Sequence, residues 1–113
     1  MQYRAKPGDI IWLTLDPQAG HEQMGRRPVL VVSNQTFNDL IRTGAMVCPI
    51  TNTDRGLHIQ PKLDTRTKTS GFIMCDQVKT LDIQERNAEF IEKAPDDILS
   101  EAVDLIHSFV EIE

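Results

Sequence analysis

The chain has 113 residues and a mass of 12.8 kDa, with 40% apolar and 26% charged residues. These figures suit one domain spanning 1–113 with a modest core, and they exclude a disordered chain, a collagen-like repeat and a disulfide scaffold. The net charge of −5 divides unevenly: residues 1–80 hold 10 Lys/Arg against 7 Asp/Glu (+3), and residues 81–113 hold 2 against 10 (−8), so the first part can offer a basic face to a polyanion.

No run of about 18 apolar residues is present, so no transmembrane helix is expected. The opening MQYRAKPGD lacks an apolar stretch, so no signal peptide is expected either. Gly8-Asp9 opens a strand with Ile11, Leu13 and Leu15 on one face and Ile10, Trp12 and Thr14 on the other, which predicts burial on one side and largely on both. The strand ends at Asp16-Pro17. Residues 17–27, PQAGHEQMGRR, read as a loop, longer than the usual hairpin connection of about 2–5 residues. Pro28–Val32 is a β-branched strand. Ser33 or Asn34 can cap a short helix to about Arg42, which Thr43-Gly44 ends. Ala45–Ile50 is the third strand. Leu57–Leu63 alternates apolar and polar residues and reads as an exposed edge strand, because Pro61 cannot donate to a ladder. Residues 64–70 form a polar turn, Gly71–Leu81 a long strand, Asp82–Asn87 one helical turn and Ala88–Ala94 a final strand.

The last element is a helix. Pro95 suits its first position, and Asp96 and Asp97 favour the positive end of its dipole. Its apolar arc runs from Ile98 to Ile112 and is wide enough to serve both a core and a second chain. The expected architecture is mainly β with α: a small, strongly bent antiparallel barrel with a short internal helix and a C-terminal amphipathic helix. Cys48 and Cys75, 27 positions apart in apolar stretches, read as buried, reduced thiols of a cytosolic protein.

Familiar motifs are mostly missing: there is no P-loop, GxGxxG, HExxH or GxSxG. His21, His58 and His107 lack paired-ligand spacing, so neither a metal nor another cofactor is expected. An aromatic content of 5% argues against a base-stacking platform. What remains is concentrated. Residues 20–28 read Gly-His-Glu-Gln-Met-Gly-Arg-Arg-Pro and gather an acid/base (His21), a carboxylate (Glu22), an amide (Gln23) and two guanidinium groups (Arg26, Arg27). Ribonuclease-type transesterification needs such groups and no cofactor. A base takes the 2′-hydroxyl proton, the 2′-oxygen attacks phosphorus, a cation stabilises the phosphoryl charge and an acid protonates the leaving 5′-oxygen. Arginine fits the cation role because its fork matches two phosphate oxygens. The plainer reading is that Glu22 pairs with Arg26 or Arg27 and orders the loop. A second cluster is Pro49-Ile50-Thr51-Asn52-Thr53, whose hydroxyls can serve phosphate or ribose, or simply their own turn. In the third, Cys75-Asp76-Gln77-Val78-Lys79, a strand would place Asp76 beside Val78 on one face. An Asp there either acts chemically or holds a loop through hydrogen bonds.

The stretch GDIIWLTLDPQAGHEQMGRRPVLVVS (Gly8–Ser33) resembles the MazF/PemK/Kid family of toxin endoribonucleases. So do Thr36-Phe37-Asn38, Cys48-Pro49-Ile50-Thr51, Ser70-Gly71, Cys75-Asp76-Gln77 and Thr80-Leu81-Asp82, with the Kid/PemK branch closest in look. The resemblance covers nearly the whole chain. It implies an SH3-like β-barrel homodimer in the cytoplasm that cuts single-stranded RNA, such as mRNA, at short sequences without metal. The implied products are a 2′,3′-cyclic phosphate and a 5′-hydroxyl, and an antitoxin protein neutralises the enzyme. Carried over by position, Arg27 matches the arginine that stabilises the scissile phosphate, and Thr51 the family's catalytic threonine. Glu22 matches a candidate base or loop organiser, and His21 and Asp76 match residues given acid/base roles in the Kid branch. Gln23, Arg26, Asn52, Thr53, Ser70 and Arg86 are the RNA-binding candidates, and a basic face would draw on Arg26, Arg27, Arg55, Lys79 and Arg86. One departure is Met74, where the Kid branch has an arginine two residues before the Asp. The alternative is a non-enzymatic toxin like the gyrase poison CcdB, which would not need the GHEQ–RP constellation.

Overall fold

β-Branched and alternating sequence builds the first two strands, β1 (Asp9–Leu15) and β2 (Gly25–Val31), which pair antiparallel with Ile10 opposite Leu30 and Leu13 opposite Arg27. The computed structural model describes residues 2–15 and 25–113. Period-two alternation sends the two faces of this ladder into different clusters. Ile11, Leu13, Leu15, Val29 and Val31 join Ala45, Val47 and Ile83 on one side, and Ile10 and Leu30 join Cys48, Ile50 and Ile73 on the other. Trp12 escapes this burial and stays 38% exposed. The loop expected over residues 17–27 yields its last three positions to β2; the rest of it lies outside the described residues.

A short helix, α1 (Gln35–Ile41), follows. Asn34 caps it by accepting the Phe37 N–H at 2.9 Å, which settles the choice between Ser33 and Asn34. Ser33 has a different task. Its hydroxyl accepts the Met46 N–H at 2.9 Å and donates to the Asn38 amide oxygen, and the Asn38 amide nitrogen reaches the carbonyls of Ser33 (3.2 Å) and Ala5 (3.4 Å). Ser33 and Asn38 are both buried, so this cluster pins α1 to the sheet and to the N-terminal segment. Asn38→Ala leaves the Ser33 hydroxyl without its acceptor, and is expected to cost about 1–3 kcal/mol, read as a lower urea midpoint at unchanged slope.

The third strand, β3 (Gly44–Thr51), is paired along both edges. One edge meets β2, with Val31 opposite Val47 and Val29 opposite Pro49. The other meets first β4 (Phe72–Ile73) and then β5 (Lys79–Asp82). Here the sequence expectation is corrected: Gly71–Leu81 is not one strand. Between the Ile50–Ile73 and Val47–Lys79 pairs, β3 advances three residues and its partner six. The surplus is taken up by a 3-10 turn at Cys75–Gln77, closed by the Gln77 N–H on the Met74 carbonyl and the Val78 N–H on the Cys75 carbonyl. Asp76 and Val78 therefore do not share a strand face. The edge strand expected at Leu57–Leu63 is also not formed; only an isolated bridge joins Lys62 to Phe72. Burial follows the expected alternation at His58, Lys62 and Leu63 and departs from it at Gln60, which is buried, and at Leu57, which is 46% exposed.

A 3-10 turn at Gln84–Arg86, capped by Asp82 accepting the N–H groups of Gln84 and Glu85, leads to β6 (Glu89–Lys93), which returns to the outer edge of β1. The sheet order is β4-β3-β2-β1-β6 with β5 beside β3, antiparallel at every pairing, so the fold is a curled antiparallel sheet with helices attached. The C-terminal helix, α2 (Asp96–Phe109), covers one face. Ile98 and Ala102 are buried in the Ile10–Cys48 cluster, and Pro95 sits just before the first turn rather than in it. Arg66 bridges Asp64 and Asp97 and ties the polar turn to the start of α2, holding the exposed Asp64 carboxyl down at about 2. No helix among the described residues is long and apolar enough to cross a membrane.

Candidate active site

Of the described site residues, Arg26 and Arg27 lie on β2, Thr51 ends β3, and Asp76 and Arg86 lie on the two 3-10 turns. Strand pairing sets which way each arginine faces. Arg26 lies opposite Thr14, and its Nη1 donates to the Asn87 carbonyl at 2.9 Å and to the Thr14 hydroxyl at 3.3 Å. Arg27 lies opposite Leu13 on the other face and is half-buried. Val29 and Pro49 form the last pair of the β2–β3 ladder, two residues from Arg27 on one strand and two from Thr51 on the other. Arg86 comes from the turn before β6, and its Nη1 donates to the Thr14 carbonyl at 3.3 Å.

Thr51 ends β3 opposite Phe72 and is buried. Its Oγ1 accepts the Thr53 N–H at 3.2 Å, an ST turn that leaves its own O–H available to donate. The Asn52 side-chain oxygen accepts the Ser70 hydroxyl at 3.2 Å. Gly71 is what lets these segments meet: at φ +124° it packs so closely that an added Cβ would lie 2.5 Å from the Thr51 carbonyl oxygen. On the neighbouring face, a shallow cleft of about 320 Å³ lies between Trp12, Pro28, Asn52, Lys68 and Ser70.

Asp76 sits on the 3-10 turn and is gripped by Arg55, Nη1 to Oδ2 at 3.0 Å and Nη2 to Oδ1 at 2.5 Å. The guanidinium holds this carboxyl below the usual range, and the carboxylate in turn raises Arg55. The fork ties this turn to the loop that leaves β3. The pair was not legible in sequence, because 21 positions and a turn separate its members. Met74, at the Kid-branch arginine position, is 1% exposed and in the core. His21, Glu22 and Gln23 lie outside the described residues. Cys48 and Cys75 are free, buried thiols in contact; the Cys75 thiol and burial push the Cys48 thiol up.

Comparison with known proteins gives these positions their context. A profile of PemK-like, MazF-like toxins of type II toxin-antitoxin systems matches residues 6–110. Endoribonuclease PemK of Escherichia coli is 38% identical over 100 residues, covering 85% of this chain and 74% of that one. Endoribonuclease toxin ChpB of Escherichia coli strain K12 is 37% identical over 109 residues, covering 92% of each. The crystal structure of MazF from Deinococcus radiodurans superposes with a TM-score of 0.88 at 35% identity, covering 96% of this chain and 98% of that one. The chain belongs to the PemK-like, MazF-like toxin family of type II toxin-antitoxin systems.

Proposed function

We infer that this chain is a sequence-specific endoribonuclease toxin that cuts single-stranded RNA without a metal ion, as one SH3-like β-barrel domain acting in the cytoplasm. What supports the reading is the β2–β3 register, whose last pair, Val29 with Pro49, lies two residues from half-buried Arg27 and two from Thr51. A rigid guanidinium there can bind two phosphoryl oxygens as their charge grows, and the Thr51 hydroxyl can donate to a third group on the same phosphate or ribose. His21, Glu22 and Asp76 are the acid/base candidates. The 2′-oxygen attacks phosphorus, the 5′-oxygen leaves with a proton, and the products are a 2′,3′-cyclic phosphate and a 5′-hydroxyl. Gln23, Arg26, Asn52, Thr53, Ser70 and Arg86 would line the path of the RNA.

Two partners follow. An antitoxin with an acidic, partly disordered segment would suit the basic face expected from Arg26, Arg27, Arg55, Lys79 and Arg86. A second copy of the chain would suit the apolar groove of about 480 Å³ between the start of α1 and α2, where Phe37, Leu99, Ile106 and Val110 stand beside Val103, itself 40% exposed. Val103→Asp is expected to yield monomers in sedimentation equilibrium at micromolar protein while the wild type is dimeric; a monomeric wild type opposes the homodimer.

The deciding experiment is cleavage of end-labelled single-stranded RNA by the purified chain in EDTA, with Arg27→Ala alongside. Discrete cuts ending in a 2′,3′-cyclic phosphate and lost in the variant support the reading. No cutting of a long, varied RNA by the folded protein moves the assignment to a toxin that inhibits a protein target.

A further inference from the structure

Arg55 stands four positions after Thr51 on the loop that leaves β3, and its backbone is fixed there. Its N–H donates to the Gln60 side-chain oxygen at 3.2 Å, and the next N–H, of Gly56, donates to the Asp54 carboxylate at 2.7 Å. The two contacts to Asp76 engage both terminal nitrogens end-on and use two of the five guanidinium N–H groups. Three remain, on a side chain that is 25% exposed. One of them, on Nε, is buried without a hydrogen-bond partner among the described residues. The same holds for Nε2 of Gln60, whose residue is only 8% exposed. Both of these atoms are closed to solvent, so what a ligand can reach is the second N–H of each terminal nitrogen. Those two groups belong to a cation held in place by its carboxylate partner. The matching ligand is rich in oxygen acceptors and negatively charged, which describes an RNA phosphodiester.

We propose that Arg55 contacts an RNA phosphate and that Asp76 is its positioning residue, the two working as one unit beside Thr51. This rests on the reading of the chain as a ribonuclease. Asp76 then aims a guanidinium and transfers no proton. Met74 is packed into the core and offers no charge, so Arg55 brings to the turn, from a different loop, the cation that the turn itself lacks.

The test is steady-state cleavage of a single-stranded RNA oligonucleotide spanning one mapped cut, by the full chain and by Arg55→Ala, Arg55→Lys, Asp76→Asn and the Arg55→Ala/Asp76→Asn double variant, from pH 5 to pH 9. Arg55→Ala should raise KM about tenfold, the loss of one charge-assisted contact. Lysine should recover part of it, since it keeps the charge and loses the fork. Asp76→Asn should resemble Arg55→Ala and the double variant should be no worse than either, the signature of one unit. The acidic limb of the pH–rate profile should survive in Asp76→Asn. Loss of that limb, or a fall of about 100-fold with Asp76→Asn while Arg55→Ala is unaffected, would make Asp76 a proton-transfer group and overturn the proposal. An unchanged KM in folded Arg55→Ala would overturn it too, leaving the pair as a loop tie. Should Arg55→Ala not fold, as judged by circular dichroism, Arg55→Gln carries the same comparison. A wild-type chain that cuts no RNA refutes the ribonuclease reading itself, whereas cutting with no Arg55 effect refutes only this proposal.

Discussion

Arg27→Ala is expected to lower the rate of RNA cleavage by about 100-fold or more, the usual consequence of removing one group that meets developing charge. The expectation comes from where the strand puts the residue. Arg27 is held in a ladder opposite Leu13 and is half-buried, so its guanidinium starts from an ordered backbone and a partly desolvated environment. Arg27→Lys separates two roles. If the bidentate fork stabilises the phosphoryl group, lysine fails although it keeps the charge; if Arg27 only orders the neighbouring residues, lysine retains most of the activity. Single-turnover rates at saturating RNA measure this without interference from binding.

Gly71→Ala should be the most damaging glycine-to-alanine change among the described residues. At φ +124° an L-residue is strained by about 1–3 kcal/mol. The new methyl would also stand 2.5 Å from the Thr51 carbonyl oxygen, a backbone atom of β3 that cannot swing aside. Overpacking of that kind adds about 1–3 kcal/mol. Any relaxation moves Thr51 and Asn52, and a shift of about 1 Å in a positioning segment costs about 100-fold in rate. Gly56→Ala is the control. Its φ is +70° and nothing lies within 4 Å of its Cβ position, so it bears only the conformational cost of about 1 kcal/mol. Urea midpoints and cleavage rates of the two variants should therefore diverge. Equal losses would mean that the contact with Thr51 is not what Gly71 protects.

The elements that could be read from sequence are those whose pattern is local. β1 and β2 declare themselves by alternation, and α2 by its apolar arc and acidic first turn. The elements that were misread depend on distant partners. FIMCDQV carries the side chains of a strand. It turns at Cys75–Gln77 because β3 pairs on either side of a three-residue surplus, and because Arg55 reaches across to Asp76. Residues 57–63 alternate like an edge strand, but Gln60 is drawn inward to accept the Arg55 N–H, against the pattern at that position. The site follows the same division. Arg27 and Thr51 sit at the ends of strands whose register the alternation implies, whereas the Arg55–Asp76 fork joins two irregular segments and leaves no periodic trace.

The pairing of β1 with β6 sets Asp9 opposite Lys93, 84 positions later in the chain. During synthesis the β1–β2 hairpin is available early, but its outer edge stays open until β6 has been made. An open edge is a template for any extended chain nearby. The Ile10–Cys48 cluster waits as well, since Ala94, Ile98 and Ala102 are among its members. Contacts of this span slow the search for the native state and reward it only at the end. A ribosome that halts before residue 89 therefore releases an unclosed sheet whose Ile10–Cys48 cluster lacks Ala94, Ile98 and Ala102, a product fit for aggregation or proteolysis and not for work.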